Sequence, residues 1–552
     1  MGGGSNWGLG MVTFRNRFLC LAAFLWGRIH PQLRALRKWM DVNLGPAASP
    51  VQGILLCEVQ IYSAWAPFYM SIIARLAGRN LGAGPVGFNL QFEKAPFLLR
   101  SIYGALGIPI LWTKPKPENA AEIKKTATAL AAGIKTKKGL LRLKIGKVLV
   151  GDLIYDTFLR EKFVATISDE ELSGPRILQH IQDSVVLHEW AKKVAQEKKI
   201  RALIQDHQGF YIYHGILGRH LASLGIPVFN YVDRDSAGLG KVIWSKEQSG
   251  SSHNAYWLYP AALKKLPTKE KESGLRMAEQ SMKRRLKGAL DDKILPDISA
   301  YGEGRVADLA PYQKDKRPVV LVFMHEFNDA VHCYRSCVFS DFWEWINFLC
   351  QEASKTDFCW IFKPHPATNL LGRDRMKKLS QACVEKLRQS YPRLNFISEK
   401  ISNTALLQLR PVSAFTMYGT VAPEMAWSGV PVVTCGDHPH IGFDFNHHAK
   451  TEQQLKALIQ RADRLRMRIS KKEISEYLFM HYFFQQRHGL FVANLTSHPP
   501  STTKGSSPTS ILNQVLTMQK ETKPKELAAL KRKIALSEKM DNPLGCLSKK
   551  QR

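Results

Sequence analysis

Lys363 and His365 stand at the end of the apolar run Phe358 to Phe362, inside Trp360-Ile-Phe-Lys-Pro-His-Pro366. The run reads as a strand that delivers both cations to its end, where either can meet a negative oxygen. Pro364 and Pro366 stiffen the loop that carries them. Downstream, Phe415-Thr-Met-Tyr-Gly-Thr-Val-Ala-Pro-Glu-Met-Ala-Trp-Ser-Gly-Val-Pro-Val-Val-Thr-Cys-Gly436 reads as strand, turn, short helix, turn and strand. Gly419 permits a tight turn, Thr420 is a good N-cap and Gly429 stops the helix before the β-branched run from Val430 to Thr434. A turn of this kind presents amide N–H groups and the positive end of a helix dipole, which suits phosphate. His325 and Asp329 follow the buried-strand pattern Pro318 to Met324. In open α/β sheets ligands lie outside the carboxyl ends of strands, so these two are further candidates for contact with the same ligand.

The pairing of Lys-Pro-His-Pro with Gly-Thr-x-x-x-Glu-x-x-x-x-Gly-x-Pro resembles the donor half of GT-B glycosyltransferases. More narrowly, it resembles the bacterial capsular and surface polysaccharide biosynthesis proteins, a group that includes Kdo, sialyl and glycerophosphate transferases. The Val-Gly-Asp-Leu-Ile-Tyr-Asp segment ending at Asp156 also resembles a piece of that family. The likeness spans residues 50–450 and is clearest over 318–436. It implies two Rossmann-like domains facing a cleft, and metal-independent transfer from a nucleotide-activated sugar such as a CMP-Kdo-like or UDP-linked donor. It implies that Lys363, His365, Gly419 and Thr420 hold the donor phosphate and that Glu424 accepts ribose hydroxyls. A Glu at this place could instead complete an imperfect capping box with Thr420.

Under that resemblance the acceptor's base comes from the first domain. Asp206 and His207 follow a strand end and are the first candidates, since histidine is the commonest general base near neutral pH. Asp152 and Asp156 are rivals. His438, His440, His447 and His448 lie close in sequence, but Pro439 and the irregular spacing speak against zinc. No metal and no cofactor is expected.

Composition bounds the partners. The chain has 552 residues, too many for one core, with 45% hydrophobic residues including 12 Trp and 26 Phe. A formal net charge of +31 implies an acidic partner. Without zinc-finger spacing or an RNP-like aromatic motif, nucleic acid is disfavoured; an anionic donor, an anionic glycan or glycolipid acceptor, and an anionic membrane surface remain. The nine cysteines are scattered and several sit inside apolar runs, which fits a reduced, cytosolic setting. No stretch reaches the roughly 18–20 apolar residues of a membrane-spanning helix.

The organisation expected is α/β and GT-B-like. Residues 1–50 read as a basic amphipathic segment lying on the inner face of the cytoplasmic membrane, or as an ordinary packed helix. Residues 51–240 read as a first Rossmann-like acceptor domain, 241–315 as an interdomain region and 316–450 as a second, nucleotide-sugar-binding domain. Helices at 451–495 and a disordered basic tail at 496–552, with one basic helix around Lys525 to Lys539, complete the chain. The function expected is a peripheral glycosyltransferase of capsule or surface polysaccharide synthesis. The alternatives are a nucleotide-sugar 2-epimerase and a non-catalytic polyanion-binding protein on the same scaffold.

Overall fold

The computed structural model describes residues 14–48, 53–59, 65–90, 96–205, 209–232, 236–242, 256–288, 309–334, 337–366, 374–484, 490–493, 495–496 and 507–535. Two α/β domains form, each on its own sheet, as the GT-B resemblance implies.

The first sheet takes β1 (Ile54–Glu58), β2 (Gly84–Phe88) and β3 (Ile110–Trp112); a separate hairpin, β4 (Lys144–Ile145) and β5 (Val148–Leu149), follows in the chain. The sheet continues with β6 (Ile200–Gln205), β7 (Val228–Val232) and β8 (Ser236–Val242). Its strand order is β15-β8-β7-β6-β1-β2-β3, where β15 is Leu490–Ala493. The β7-β6-β1-β2-β3 part is parallel, and β8 and β15 extend it antiparallel. Leu55 and Cys57 of β1 join one hydrophobic cluster and Leu56 the other, so both faces of the sheet are covered. That double burial is why these strands read as continuous apolar runs.

The second sheet has the order β11-β10-β9-β12-β13-β14, all parallel. Its strands are β9 (Val319–Phe323), β10 (Cys359–Lys363), β11 (Asn395–Phe396), β12 (Ser413–Phe415), β13 (Val432–Thr434) and β14 (Asn446–His448). Val320 and Val322 pack with Phe342 and Trp345 on one face. Leu321 and Phe323 pack on the other face with Met282, Met425 and Tyr477, so the helices Thr268–Leu286 and Lys471–Leu478 belong to this domain's core.

The N-terminal segment divides between its two expected readings, and the C-terminal stretch departs in part from expectation. The N-terminal segment forms two helices, Phe14–Ile29 and Pro31–Leu44. The second is a core element: Leu33, Leu36, Met40 and Leu44 are buried, a 3–4 spacing that sets one stripe against the first domain. In the C-terminal stretch the helix Pro524–Ala535 falls where a basic helix is expected, but the helix Pro508–Glu521 forms where disorder is expected. Ile511, Leu512, Val515 and Met518 of one, and Leu527, Leu530 and Ile534 of the other, are buried in the same cluster as Leu33 and Leu36. The Ser, Thr and Pro around it masked the first of these amphipathic helices, and the apolar stripes of both find a partner in the folded first domain. Residues 536–552 lie outside the described residues. Among the described residues no helix is long and apolar enough to cross a membrane.

Candidate active site

The motif at 413–434 folds as its residue types dictate. Strand β12 ends at Phe415, the helix Val421–Trp427 follows, and Gly429, at φ +86°, ends it before β13. Thr420 occupies the N-cap position but is itself helical (φ −61°, ψ −16°) and its side chain makes no capping bond. Gly419 has no left-handed φ; its smallness serves a close approach. A Cβ there would lie 2.8 Å from the Thr416 hydroxyl oxygen, which accepts the Gly419 N–H at 3.2 Å. The Thr416 hydroxyl lies 3.0 Å from His325 Nε2, and the Tyr418 N–H points at the same nitrogen from 3.5 Å. Nε2 is therefore the acceptor and Nδ1 carries the proton. The ring stacks on Phe342, with centroids 4.4 Å apart. Burial, and secondarily the charge of His365, lower the His325 pKa to about 3, so this imidazole is neutral. The structure thus brings His325 against the Gly419 turn.

His365, half-exposed, lies just beyond β10, with Nδ1 3.9 Å from the Glu326 carboxylate. Lys363 ends β10 but does not reach the surface. Its ammonium is buried and donates to Asn403 Oδ1 at 2.6 Å, and burial lowers its pKa to about 8. Glu424 is likewise buried, paired with Arg285 (Nε to Oε1 2.5 Å). A partner 139 residues earlier in the chain cannot be read from a local motif.

The Gly-Asp-Leu-Ile-Tyr-Asp segment opens the helix Gly151–Lys162, and each of its special residues has a distinct task. A side chain at Gly151 would clash with the Leu140 carbonyl. Asp152 holds Arg219 in a buried bidentate pair, at 2.6 and 2.7 Å. That occupies it structurally and removes it as a rival base. Tyr155 donates to Asp341, which caps the helix Phe342–Ala353 of the second domain. Arg160 meets Asp329 at 3.3 Å, so Asp329 lies at the interface between the domains.

Asp156 carries the most consequential contact. Its Oδ2 accepts the His332 backbone N–H at 3.0 Å and its Oδ1 accepts Nδ1–H at 2.7 Å. Ala330, at φ +42°, turns the loop between Asp329 and His332. Such a conformation costs roughly 1–2 kcal/mol outside glycine and is held by its surroundings. The carboxylate fixes the tautomer, leaving the lone pair on Nε2. That nitrogen is buried and has no hydrogen-bond partner among the described residues. Burial alone would lower the His332 pKa, but the charge and hydrogen bond of Asp156 outweigh it and raise the pKa above the ordinary histidine value. Burial also raises the Asp156 carboxyl, against the pull of His332. Asp152 and Asp341 act on the imidazole in the same sense as Asp156.

Tyr211 adjoins this group: burial, then the charge of Asp329 and more weakly that of Asp156, push its phenol up. Asp206 and His207, the first candidates for the base, lie outside the described residues. His332 was visible in sequence only as one more histidine after a strand; its pairing with Asp156, 176 residues away, was not. His438 and His440 stack on each other with centroids 3.5 Å apart, and His440 bonds Asn446 rather than a third ligand.

No protein-family model and no curated protein matches the chain. Among solved structures it is similar to the β-Kdo 2,4-transferase of KpsC from Thermosulfurimonas dismutans, at 14% identity and a TM-score of 0.32, over 58% of this chain and 88% of that one. It is also similar to UDP-GlcNAc 2-epimerase from Neisseria meningitidis bound to UDP-GlcNAc, at 10% identity and a TM-score of 0.22, over 77% and 97% of the two chains. A third is Os79 from O. sativa in complex with UDP, at 12% identity and a TM-score of 0.23, over 78% and 96%.

Proposed function

We propose that this protein is a metal-independent glycosyltransferase that moves a sugar from a nucleotide-activated donor to a surface-polysaccharide or glycolipid acceptor. The observation that carries the reading is the Asp156–His332 pair. It joins the two domains and leaves a buried lone pair without a hydrogen-bond partner among the described residues on the loop that follows β9, the loop that also carries His325 beside the Gly419 turn. The supporting motifs are Lys-Pro-His-Pro and Gly-Thr-x-x-x-Glu.

In this reading the donor lies on the second domain. His365 and the backbone after Gly419 receive the donor phosphate, with Thr420 at the turn and Asp329 on its rim. Lys363 supplies a fixed positive charge from beneath. Glu424, oriented by Arg285, meets the ribose. His332 takes the proton of the acceptor hydroxyl as that oxygen bonds to the anomeric carbon. The bond from that carbon to the phosphate oxygen breaks, and the nucleotide leaves with the electron pair. Stabilising that departing charge is the task of preorganised cations and amides. Asp206 and His207 remain proposed on sequence grounds as a second source of the base.

Calorimetric titration with UDP, CMP, GDP and CDP tests the reading. One of the four is expected to bind, and His365→Ala to weaken it about ten- to a hundredfold, the worth of one charge-assisted hydrogen bond of about 1.5–3 kcal/mol. No heat from any of the four nucleotides would remove the proposal.

The site of action is proposed to be the inner face of an anionic membrane. On the helix Phe14–Ile29, Phe18, Leu21, Leu25 and Ile29 recur at spacings of three and four and are all exposed, from 52 to 73%. Ala23 and Gly27 face inward, and Trp26 packs on Phe97 at 5.8 Å between ring centroids. Exposed Arg28 and Arg34 flank the stripe. An apolar stripe bordered by arginines fits the headgroup boundary of an anionic bilayer. The full chain should sediment with phosphatidylglycerol-containing vesicles at low salt, less so at high salt. Leu21→Glu/Leu25→Glu should stay in the supernatant. Equal sedimentation of the two proteins would show that the stripe is not the contact.

A further inference from the structure

The loop that follows β3, the start of the helix Ala120–Ala132, the middle of the helix Pro175–Glu197 and Tyr213 enclose a cavity of about 370 Å³. It opens near the carboxyl end of β3, the edge strand of the first sheet, and its lining includes neither Asp156 nor His332 nor any residue assigned to the donor. Its volume falls within the usual range for small-molecule sites.

The polar lining is ordered around one carboxylate. Asp183 Oδ2 accepts the Tyr213 hydroxyl at 2.7 Å and lies 3.5 Å from the Lys114 ammonium, while its Oδ1 accepts the Gln179 amide at 3.0 Å. The Lys114 ammonium also donates to the Tyr213 oxygen at 3.2 Å. These bonds satisfy Asp183 and fix Tyr213 and Lys114 in place. Lys116 and Lys124 also line the cavity and have no ion-pair partner among the described residues. Three lysines against one aspartate leave the cavity cationic, whichever way Asp183 is shared. The remaining wall combines the Gln182 amide with the aliphatic side chains of Ile123 and Val186. Cations, amides and a hydroxyl beside small apolar faces match a sugar ring: its C–H face against aliphatic carbon, its hydroxyls on the amides, and an acidic substituent on the lysines.

We propose that this cavity binds an acidic sugar, a pyranose bearing a carboxylate or a phosphate. Calling that sugar the acceptor rests on the glycosyl-transfer reading; the binding site itself does not.

The test uses the full chain and two pairs of probes, a glucuronate-containing hyaluronan tetrasaccharide against neutral chitotetraose, and glucose 6-phosphate against glucose. Calorimetry should detect at least one acidic probe and neither neutral one. Which acidic probe binds distinguishes carboxylate from phosphate. Lys116→Glu/Lys124→Glu replaces two exposed cations and should weaken the acidic probe by about tenfold or more. Lys264→Glu/Lys269→Glu, an equal change of charge at exposed positions on the helices that open the second domain, should leave it within about twofold, which separates this site from general attraction to a basic protein. The proposal is overturned if neutral and acidic probes bind alike, if the two double variants behave alike, or if no acidic probe binds. Nucleotide titrated into the same variants keeps the two readings apart. Acidic-sugar binding without nucleotide binding keeps the cavity and removes the transferase, and the converse removes the cavity alone.

Discussion

Asp156→Asn should lower transfer turnover by about 10²–10⁴-fold, the usual worth of a positioned general base. Nucleotide affinity should stay unchanged. The Asn side chain keeps the size of Asp but loses the charge that orients and activates His332, whose Nδ1 it meets at 2.7 Å in the native protein. His332→Gln, which removes the lone pair at Nε2, should lose about as much activity. The pH profile separates a catalytic role from a merely structural one. In the native protein the rate should rise through a His332 pKa above the ordinary value, and in Asp156→Asn the same limb should move to lower pH. Stability follows the linkage sign. A histidine whose folded pKa is raised above its unfolded value of about 6.5 contributes stability that is fully present below that value. The contribution is lost as pH rises through the folded pKa. Chemical denaturation at pH 5.5 and pH 9 should therefore show a larger difference for the native protein than for Asp156→Asn. Nucleotide release from donor at the native rate, with an unshifted profile, would eliminate His332 as the base.

The second large effect is expected at the Arg285–Glu424 pair. Both side chains are only 3–4% exposed, so removing one partner takes an ion pair away from a buried charge. Arg285→Ala should cost about 3–5 kcal/mol of folding stability, whereas Arg285→Met/Glu424→Leu, which removes both charges, should recover most of it. Arg285 sits near the end of the helix Thr268–Leu286 and Glu424 in the short helix after the Gly419 turn, so the pair ties the approach to the second domain to its ligand-facing turn. If Glu424 also meets the ribose, Glu424→Gln should weaken nucleotide binding about ten- to a hundredfold at temperatures where the variant is fully folded. Urea denaturation and nucleotide titration of the same proteins test the two roles separately. Native affinity in folded Glu424→Gln would leave the residue a purely structural task.

In the second sheet, local patterns reported where strands and turns lie. Pro318 to Met324 and Phe358 to Phe362 marked β9 and β10 because both faces of that sheet are buried, and continuous apolar runs are what such burial demands. The order of strand, turn, short helix, Gly-x-Pro and strand at 413–434 was legible because turns and helix stops are written in glycine and proline within a few residues. The approximate place of the candidate site followed, since loops at the carboxyl ends of parallel strands are where such sheets bind. The partners of its residues did not follow. Lys363 and Glu424 stand where their motifs put them, yet Asn403 and Arg285 hold them in the interior. The exposed stripe near the N-terminus and the buried stripes of the helices at 508–535 are similar in kind, helices with one apolar face, and only the packing of the first domain decides which is covered. Asp156 and His332 show the limit most clearly. A histidine becomes a candidate base through the carboxylate opposite it, and that carboxylate arrives on another domain. Periodicity and turn chemistry act over a few residues and are written in sequence, whereas burial and ion pairing depend on which surfaces meet, which the tertiary structure alone decides.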